Sequence, residues 1–147
     1  MPDASEWTVV TAKRQTKGRG KPGSSWFSPD GGLYFSVILK PRKNPADLSP
    51  VTLLAAEAVA SVIKAEIKPP NDLMIKSKKV CGILTEKVKD ALIVGVGLNV
   101  NIEKFPDELA ATSLYLENNK KYDPDQLLSE IIIELKNRYL KFLHNRI

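Results

Sequence analysis

Hydrophobic and polar positions alternate most cleanly between Leu33 and Lys40: Leu33, Phe35, Val37 and Leu39 fall on one face, and Tyr34, Ser36 and Lys40 on the other. Successive strand side chains point to opposite faces, so this pattern predicts a half-buried β-strand. Thr8 to Lys13, with the β-branched pair Val9-Val10, predicts a shorter strand before it. Ser28-Pro29-Asp30-Gly31-Gly32 predicts the turn between. Alternation returns over Lys79–Glu86 and Ala91–Val100, and the short polar break at Lys89-Asp90 predicts that these two strands form a hairpin. In the second, Leu92, Val94, Val96, Leu98 and Val100 share one face, leaving Ile93, Gly95, Gly97 and Asn99 on the other.

Between Asp47 and Ala65 the period changes. Val51, Leu54, Ala55, Ala58, Val59, Val62 and Ile63 recur at helical spacing, with Ser49 as the expected N-cap and Pro50 at the first helical position. Pro69-Pro70 prevents helix and predicts an extended run. Pro106 to Asn119 reads mostly as loop, with room for one short helical turn. A last helix is predicted from Asp123, with Pro124 in its first turn and Gln126 at capping-box spacing; Leu127, Leu128, Ile131, Ile132, Leu135 and Tyr139 form its buried stripe. Strands in blocks with a few helices predict an α+β fold, a mainly antiparallel or mixed sheet packed by helices. The length suits a single domain over residues 1–147.

Charge and rare residues narrow the function. The net charge is +5, much of it in Lys13–Lys21 and Lys76–Lys79, which favours an anionic partner: nucleotide, nucleic acid or an acidic protein surface. A single cysteine, Cys81, excludes an internal disulfide and a cysteine zinc cage. His144 alone near the C-terminus argues against histidine-based nucleophilic catalysis, and no protein-ligated metal is expected. No stretch approaches the roughly 20 apolar residues of a membrane helix. Met1 to Trp7 carries acids and no apolar core, unlike a signal peptide, so a cytoplasmic location is the default.

Four segments could carry chemistry. Gln15-Thr16-Lys17-Gly18-Arg19-Gly20-Lys21-Pro22-Gly23 contains G-x-G-x-x-G, but Pro22, Ser24, Ser25, Trp26 and a turn follow it instead of a helix, which excludes the dinucleotide fingerprint. Its glycines still let backbone amides approach a ligand, and its cations suit phosphate; a solvated basic loop is the alternative reading. Lys68-Pro69-Pro70-Asn71-Asp72-Leu73 is either an ordinary turn or a place where Asp72 meets a cation or a lysine. In Lys78 to Glu86, Lys79 at the mouth of a strand can meet a phosphate. Strict alternation there groups Val80, Gly82 and Leu84, leaving Cys81 opposite as a small buried hydrophobe. Gly95, Gly97 and Asn99 on one strand face mark close approach of a ligand, or else tight packing of a helix.

Taken together, these segments resemble the biotin–protein ligases. That family's pattern is a Gln-Thr-x-Gly-Arg-Gly-Arg loop, a Trp, and a Gly-Gly-Leu-Tyr-like strand. Lys-Trp-Pro-Asn-Asp, Lys-x-x-Gly-Ile-Leu-x-Glu and a Gly-x-Gly-Ile-Asn-Val strand follow. This chain has Gln15 to Lys21 with Trp26, Gly31-Gly32-Leu33-Tyr34, Lys68-Pro69-Pro70-Asn71-Asp72, Lys79 to Glu86, and Gly95-Val96-Gly97-Leu98-Asn99-Val100, in that order from about Val9 onward. The resemblance implies a biotin–lipoate ligase fold, like that of the class II aminoacyl-tRNA synthetases. It further implies ATP-dependent ligation of biotin, through biotinyl-5′-AMP, to a lysine of a biotin carboxyl carrier protein, with Mg²⁺ accompanying ATP.

By position, the resemblance makes Lys79 and Arg19 the catalytic pair. Gln15, Gly18, Arg19, Lys21, Lys79 and Gly82 would bind biotin. Lys21, Trp26, Asn71, Asp72 and Asn99 would bind the nucleotide. It also suggests a homodimer through an uncovered sheet edge at Leu33–Lys40. Where the family has Arg and Trp, this chain has Lys21 and Pro69, losing a bidentate guanidinium and an aromatic wall. The family's upstream Ser-Thr-Asn motif and its small C-terminal barrel have no counterpart here, so an incomplete catalytic core is expected. Other readings are a lipoate ligase, a non-catalytic adenylate-binding module, and a basic nucleic-acid-binding domain. The last is disfavoured because no aromatics interleave the basic loop; neither nucleic acid nor membrane is an expected partner.

Overall fold

The computed structural model describes residues 4–20, 25–42 and 46–145. Its elements in chain order are β1 (Val9–Ala12), β2 (Leu33–Leu39), α1 (Ser49–Ile63), β3 (Glu66–Lys68), β4 (Asp72–Ile75), β5 (Lys78–Val88), β6 (Ala91–Leu98), α2 (Leu114–Asn118) and α3 (Pro124–Asn145). The strands form a six-stranded sheet in the order β1-β2-β6-β5-β4-β3, and every neighbouring pair is antiparallel. This is the expected α+β class.

The expected sorting of faces is what divides the molecule. Phe35, Val37 and Leu39 of β2 and Leu92, Val94, Val96 and Leu98 of β6 enter the core with Val51, Ala55 and Val59 of α1 and Ile131, Leu135 and Tyr139 of α3. Both long helices therefore cover one face, as amphipathic helices on a half-apolar sheet must. The opposite face carries Val10, Tyr34, Ser36, Leu84, Ile93, Gly95 and Gly97, which line a cavity. Tyr34 is buried there with its hydroxyl donating to Pro29 O at 2.7 Å. Burial, helped by the nearby charge of Asp30, pushes its pKa up, so the phenol stays neutral.

Several local expectations change. β2 is not an edge: it lies between β1 and β6, and the edges are β1 and β3. A dimer through Leu33–Lys40 is thereby excluded, because that strand's backbone groups are already spent on both neighbours. Ser49 does not cap α1; Leu48 stands at that position, while the Asp47 carboxylate accepts from Ser49 N at 2.9 Å. Residues 69–71 form a turn, with a cis Pro69–Pro70 bond, between the paired strands β3 and β4, where an extended run was expected. β4 and β5 form a second hairpin through Lys76-Ser77, both with positive φ (50° and 66°). That turn normally advertises itself by Asn-Gly, and Lys-Ser hides it. The hairpin turn at Lys89-Asp90 and a short helix within 106–119 appear where expected.

One irregularity governs the site. In the β4–β5 ladder Leu73 faces Cys81 but Met74 faces Lys79, so Val80 is an extra residue on β5. Val80 and Cys81 are consequently both fully buried, and the expected grouping of Val80 with Gly82 and Leu84 fails. Beyond the bulge the alternation is inverted, so Lys79, by parity a core-side residue, turns toward the cavity. Burial and the charge of Asp72 push the Cys81 thiol pKa up, which keeps it a packing group.

The core assignment has a direct test. Leu98 is 0% exposed, whereas Leu140 on α3 is 52% exposed. In urea denaturation Leu98→Ala is expected to cost about 2–5 kcal/mol and Leu140→Ala no more than about 0.5 kcal/mol.

Candidate active site

The cavity has a volume of about 700 Å³, within the range of pockets that enclose small organic ligands. Its floor is the sheet face left free by the helices, and its roof is the described part of the glycine loop, with Gln15, Lys17, Arg19, Gly20, Ser25 and Trp26. That loop folds back on itself: Gln15 N donates to Ser28 O and Trp26 N to Gly18 O, both at 2.9 Å, with an isolated antiparallel bridge from Arg19 to Ser25. The Ser28 hydroxyl lies 2.9 Å from both Gln15 Oε1 and Trp26 O.

Gly18 is buried inside this loop and does not line the cavity. A Cβ there would collide with Trp26 O and stand 2.6 Å from Ser28 Oγ. Its glycine is required by the loop's own packing, a correction to its expected contact with biotin.

Trp26 is the centre of the arrangement. Gly82 and Gly97 face each other in register across β5 and β6, and the indole rests on both. A Cβ on Gly82 would lie 3.0 Å from Trp26 Cζ3, and one on Gly97 would overlap Nε1. Gly95 is different: the nearest atom to an added Cβ is Leu84 O at 3.5 Å, an ordinary contact. The glycine face of β6 therefore meets an aromatic ring of the loop at Gly97 and the cavity at Gly95, and no helix at either. Trp26 Nε1 is buried without a protein partner, as is Asn71 Oδ1 at the cavity wall. One orphan donor and one orphan acceptor at the same cavity are what a polar ligand would satisfy.

Lys79 and Asp72 supply the charge. Lys79 Nζ is 3.1 Å from Asp72 Oδ2 and 5.7 Å from the Trp26 ring centroid. Asp72 sits opposite Gly82 on β4, which places it on the cavity side. Lys79 is held at the backbone: its N–H donates to Ala110 O at 3.0 Å and its carbonyl accepts from Thr112 N at 2.9 Å. Sequence reasoning missed segment 110–112, which takes up the backbone of β5 at Lys79, where the β6 ladder has ended at Cys81–Leu98. Asn99 fastens that segment, its side-chain amide donating to Thr112 O at 3.0 Å. Asn99 is 2% exposed and absent from the cavity lining, so its side-chain amide braces the segment that holds Lys79, while its Oδ1 is buried without a protein partner.

Arg19 reaches across the cavity to Glu86 with a two-toothed contact, Nη2–Oε1 2.9 Å and Nη1–Oε2 3.3 Å. Of the expected site residues, Gln15, Arg19, Trp26, Asn71, Asp72, Lys79 and Gly82 gather around one cavity. Lys21 lies outside the described residues. Among the described residues no three His, Cys, Asp or Glu side chains are grouped to hold a metal ion, and no helix is long and apolar enough to cross a membrane.

Comparison with known proteins decides the family. Residues 2–103 match the model of the biotin/lipoate A/B protein ligase family. The chain belongs to that family. It is 38% identical over 157 aligned residues to a bifunctional ligase/repressor BirA of Bacillus spizizenii, covering 96% of this chain and 48% of that protein. It is 30% identical over 142 residues to a biotin–[acetyl-CoA-carboxylase] ligase of Paracoccus denitrificans, covering 84% of this chain and 58% of that one. A solved biotin protein ligase from Aquifex aeolicus, in complex with biotin and ATP, superposes with a TM-score of 0.90 at 37% identity, covering 97% of this chain and 64% of that one. The chain thus spans between about half and two thirds of the length of these relatives.

The stacked indole gives a test of the site's geometry. In a Trp7→Phe background, Gly97→Ala should dislodge Trp26 and shift its emission to the red with faster acrylamide quenching. Gly95→Ala should leave both unchanged. Equal spectra for the two variants would mean that the ring does not rest on Gly97.

Proposed function

We propose that this chain belongs to the catalytic core of a biotin–protein ligase and forms a single unit of it. It would activate biotin with ATP to biotinyl-5′-AMP and transfer the biotinyl group to a lysine of a biotin carboxyl carrier protein. The observation that carries this reading is Lys79, turned by the β5 bulge into a cavity beside Asp72 and Trp26. The similarity to a ligase solved with biotin and ATP supports it.

The chemistry explains why such a residue is wanted. A carboxylate oxygen attacks the α-phosphorus, an acyl–phosphate bond forms, and the bond to the departing pyrophosphate breaks. Two anions must approach, and negative charge grows on the phosphoryl oxygens, so a fixed cation and fixed donors lower the barrier. Lys79 suits that role as a point charge whose backbone is pinned on both sides, leaving little reorganisation to be done at the moment of reaction. Arg19 and Lys21 add charge from the loop. Gln15 and Gly82 would bound the biotin side of the cavity, and Trp26, Asn71 and Asp72 the nucleotide side. The ureido and valeryl portions of biotin need one polar and one apolar wall, and the cavity offers both, the apolar one from Trp26, Leu84 and Ile93. Asp72 and the Asn71 amide fit a Mg²⁺ ion carried in on the phosphates, since such an ion keeps most of its ligands from phosphate and water. In the second step the carrier's lysine amine attacks the mixed anhydride and AMP leaves.

The test is to incubate the chain with biotin, α-labelled ATP, Mg²⁺ and a carrier domain, and to follow labelled adenylate and carrier biotinylation. Lys79→Ala should lower adenylate formation about a hundredfold or more at unchanged melting temperature. Lys78→Ala, on the exposed side of the strand end, should be mild. Failure to form adenylate or to modify the carrier, both by the unmodified chain and by the chain joined to the N-terminal catalytic segment of a relative, would remove this assignment.

A further inference from the structure

We propose that Glu86 is a positioning residue: it holds the Arg19 guanidinium, and with it the glycine loop, over the ligand cavity. The proposal rests on reading that cavity as the biotinyl-adenylate site. Arg19 and Glu86 are 67 residues apart in the chain, yet they meet through two nitrogen–oxygen contacts at 2.9 and 3.3 Å. Both line the cavity. Glu86 lies on the same strand face as Gly82 and Leu84, the floor of the site, opposite Ile93 of β6.

The loop thus touches the floor at two points of different kind. At one, Trp26 rests on the Gly82–Gly97 pair; at the other, Arg19 is gripped by Glu86. A single point of attachment lets a loop pivot. A second removes most of that freedom, and the forked carboxylate–guanidinium contact also fixes the direction of the arginine.

Electrostatics alone gives no reason for Glu86. A carboxylate at the rim of a site for anionic ligands repels them unless something neutralises it, and Arg19 does. The two explanations predict opposite signs. If Glu86 mattered only through its charge, removing that charge would tighten anionic ligands; as an anchor for the loop, its removal loosens them. The pair is well exposed, with 71% of the Arg19 side chain and 39% of the Glu86 side chain accessible. Its strength is therefore modest and sensitive to salt.

The experiment compares wild type, Glu86→Gln and Glu86→Asp. Trypsin reads the loop directly without any ligand, because it cuts after Lys13, Arg14, Lys17 and Arg19. Steady-state adenylate formation gives KM for biotin and kcat. For Glu86→Gln, nicking in the loop should accelerate and KM rise, each by roughly threefold to fivefold, with kcat falling by no more than that and melting temperature unchanged. Glu86→Asp, which keeps the charge on a shorter arm, should fall between, and high salt should bring wild type to the behaviour of Glu86→Gln. Unchanged nicking, or a lowered KM, overturns the proposal. Faster nicking in the variant, with no adenylate made by wild type either alone or joined to the N-terminal catalytic segment of a relative, would uphold the anchor and overturn the assignment of the reaction instead. Faster nicking with KM unchanged would overturn the role in the reaction.

Discussion

The contact between one indole and two facing glycines organises this molecule. A flat ring can lie against a β-sheet only where neighbouring strands both lack a side chain, and Gly82 and Gly97 provide that by standing opposite each other in the β5–β6 ladder. Because Trp26 closes the glycine loop through its bond to Gly18 O, seating the ring also seats the loop. The loop then roofs a cavity whose floor the helices leave free. Shift either strand by one residue and the glycines would part, the ring would have no seat, and the basic loop would have no reason to lie over the sheet.

Charge is handled by the same economy of placement. Lys79 reaches the cavity because one extra residue, Val80, inverts the alternation of β5. Its backbone is then held by Ala110 and Thr112, and that segment by the buried Asn99. The Asn99 amide keeps that segment, and with it the lysine, in place, because a buried N–H donor is costly unless it is paired.

Much of this was legible in the chain. The alternation at Leu33–Lys40 and Ala91–Val100 and the helical stripes of α1 and α3 each report which side of an element is dry, and a sheet with one dry face needs helices on that face only. Strands β1, β2, β5 and β6, the helices α1 and α3 and the α+β class followed from pattern, and the family from motifs whose order is more specific than any one of them. The two strands around Pro69-Pro70 were not legible, because β3 has three residues and β4 has four, too short for a period to show. The Lys76-Ser77 turn was hidden because its residue types do not announce positive φ.

By itself, then, the sequence determined which residue types exist to do the chemistry, and on which strand face Gly82, Gly95 and Gly97 stand. Tertiary structure alone decided three things. It put Trp26 on the pair Gly82–Gly97 and left Gly95 clear. It turned Lys79 inward through a bulge and withdrew Asn99 behind it. It brought Arg19 to Glu86, placing β2 inside the sheet along the way. The physical reason is common to all three. Local pattern encodes the environment each side chain seeks, dry or wet, whereas register, bulges and strand order are set by pairing between segments far apart in the chain, and those pairings decide which of the matching environments a side chain actually meets.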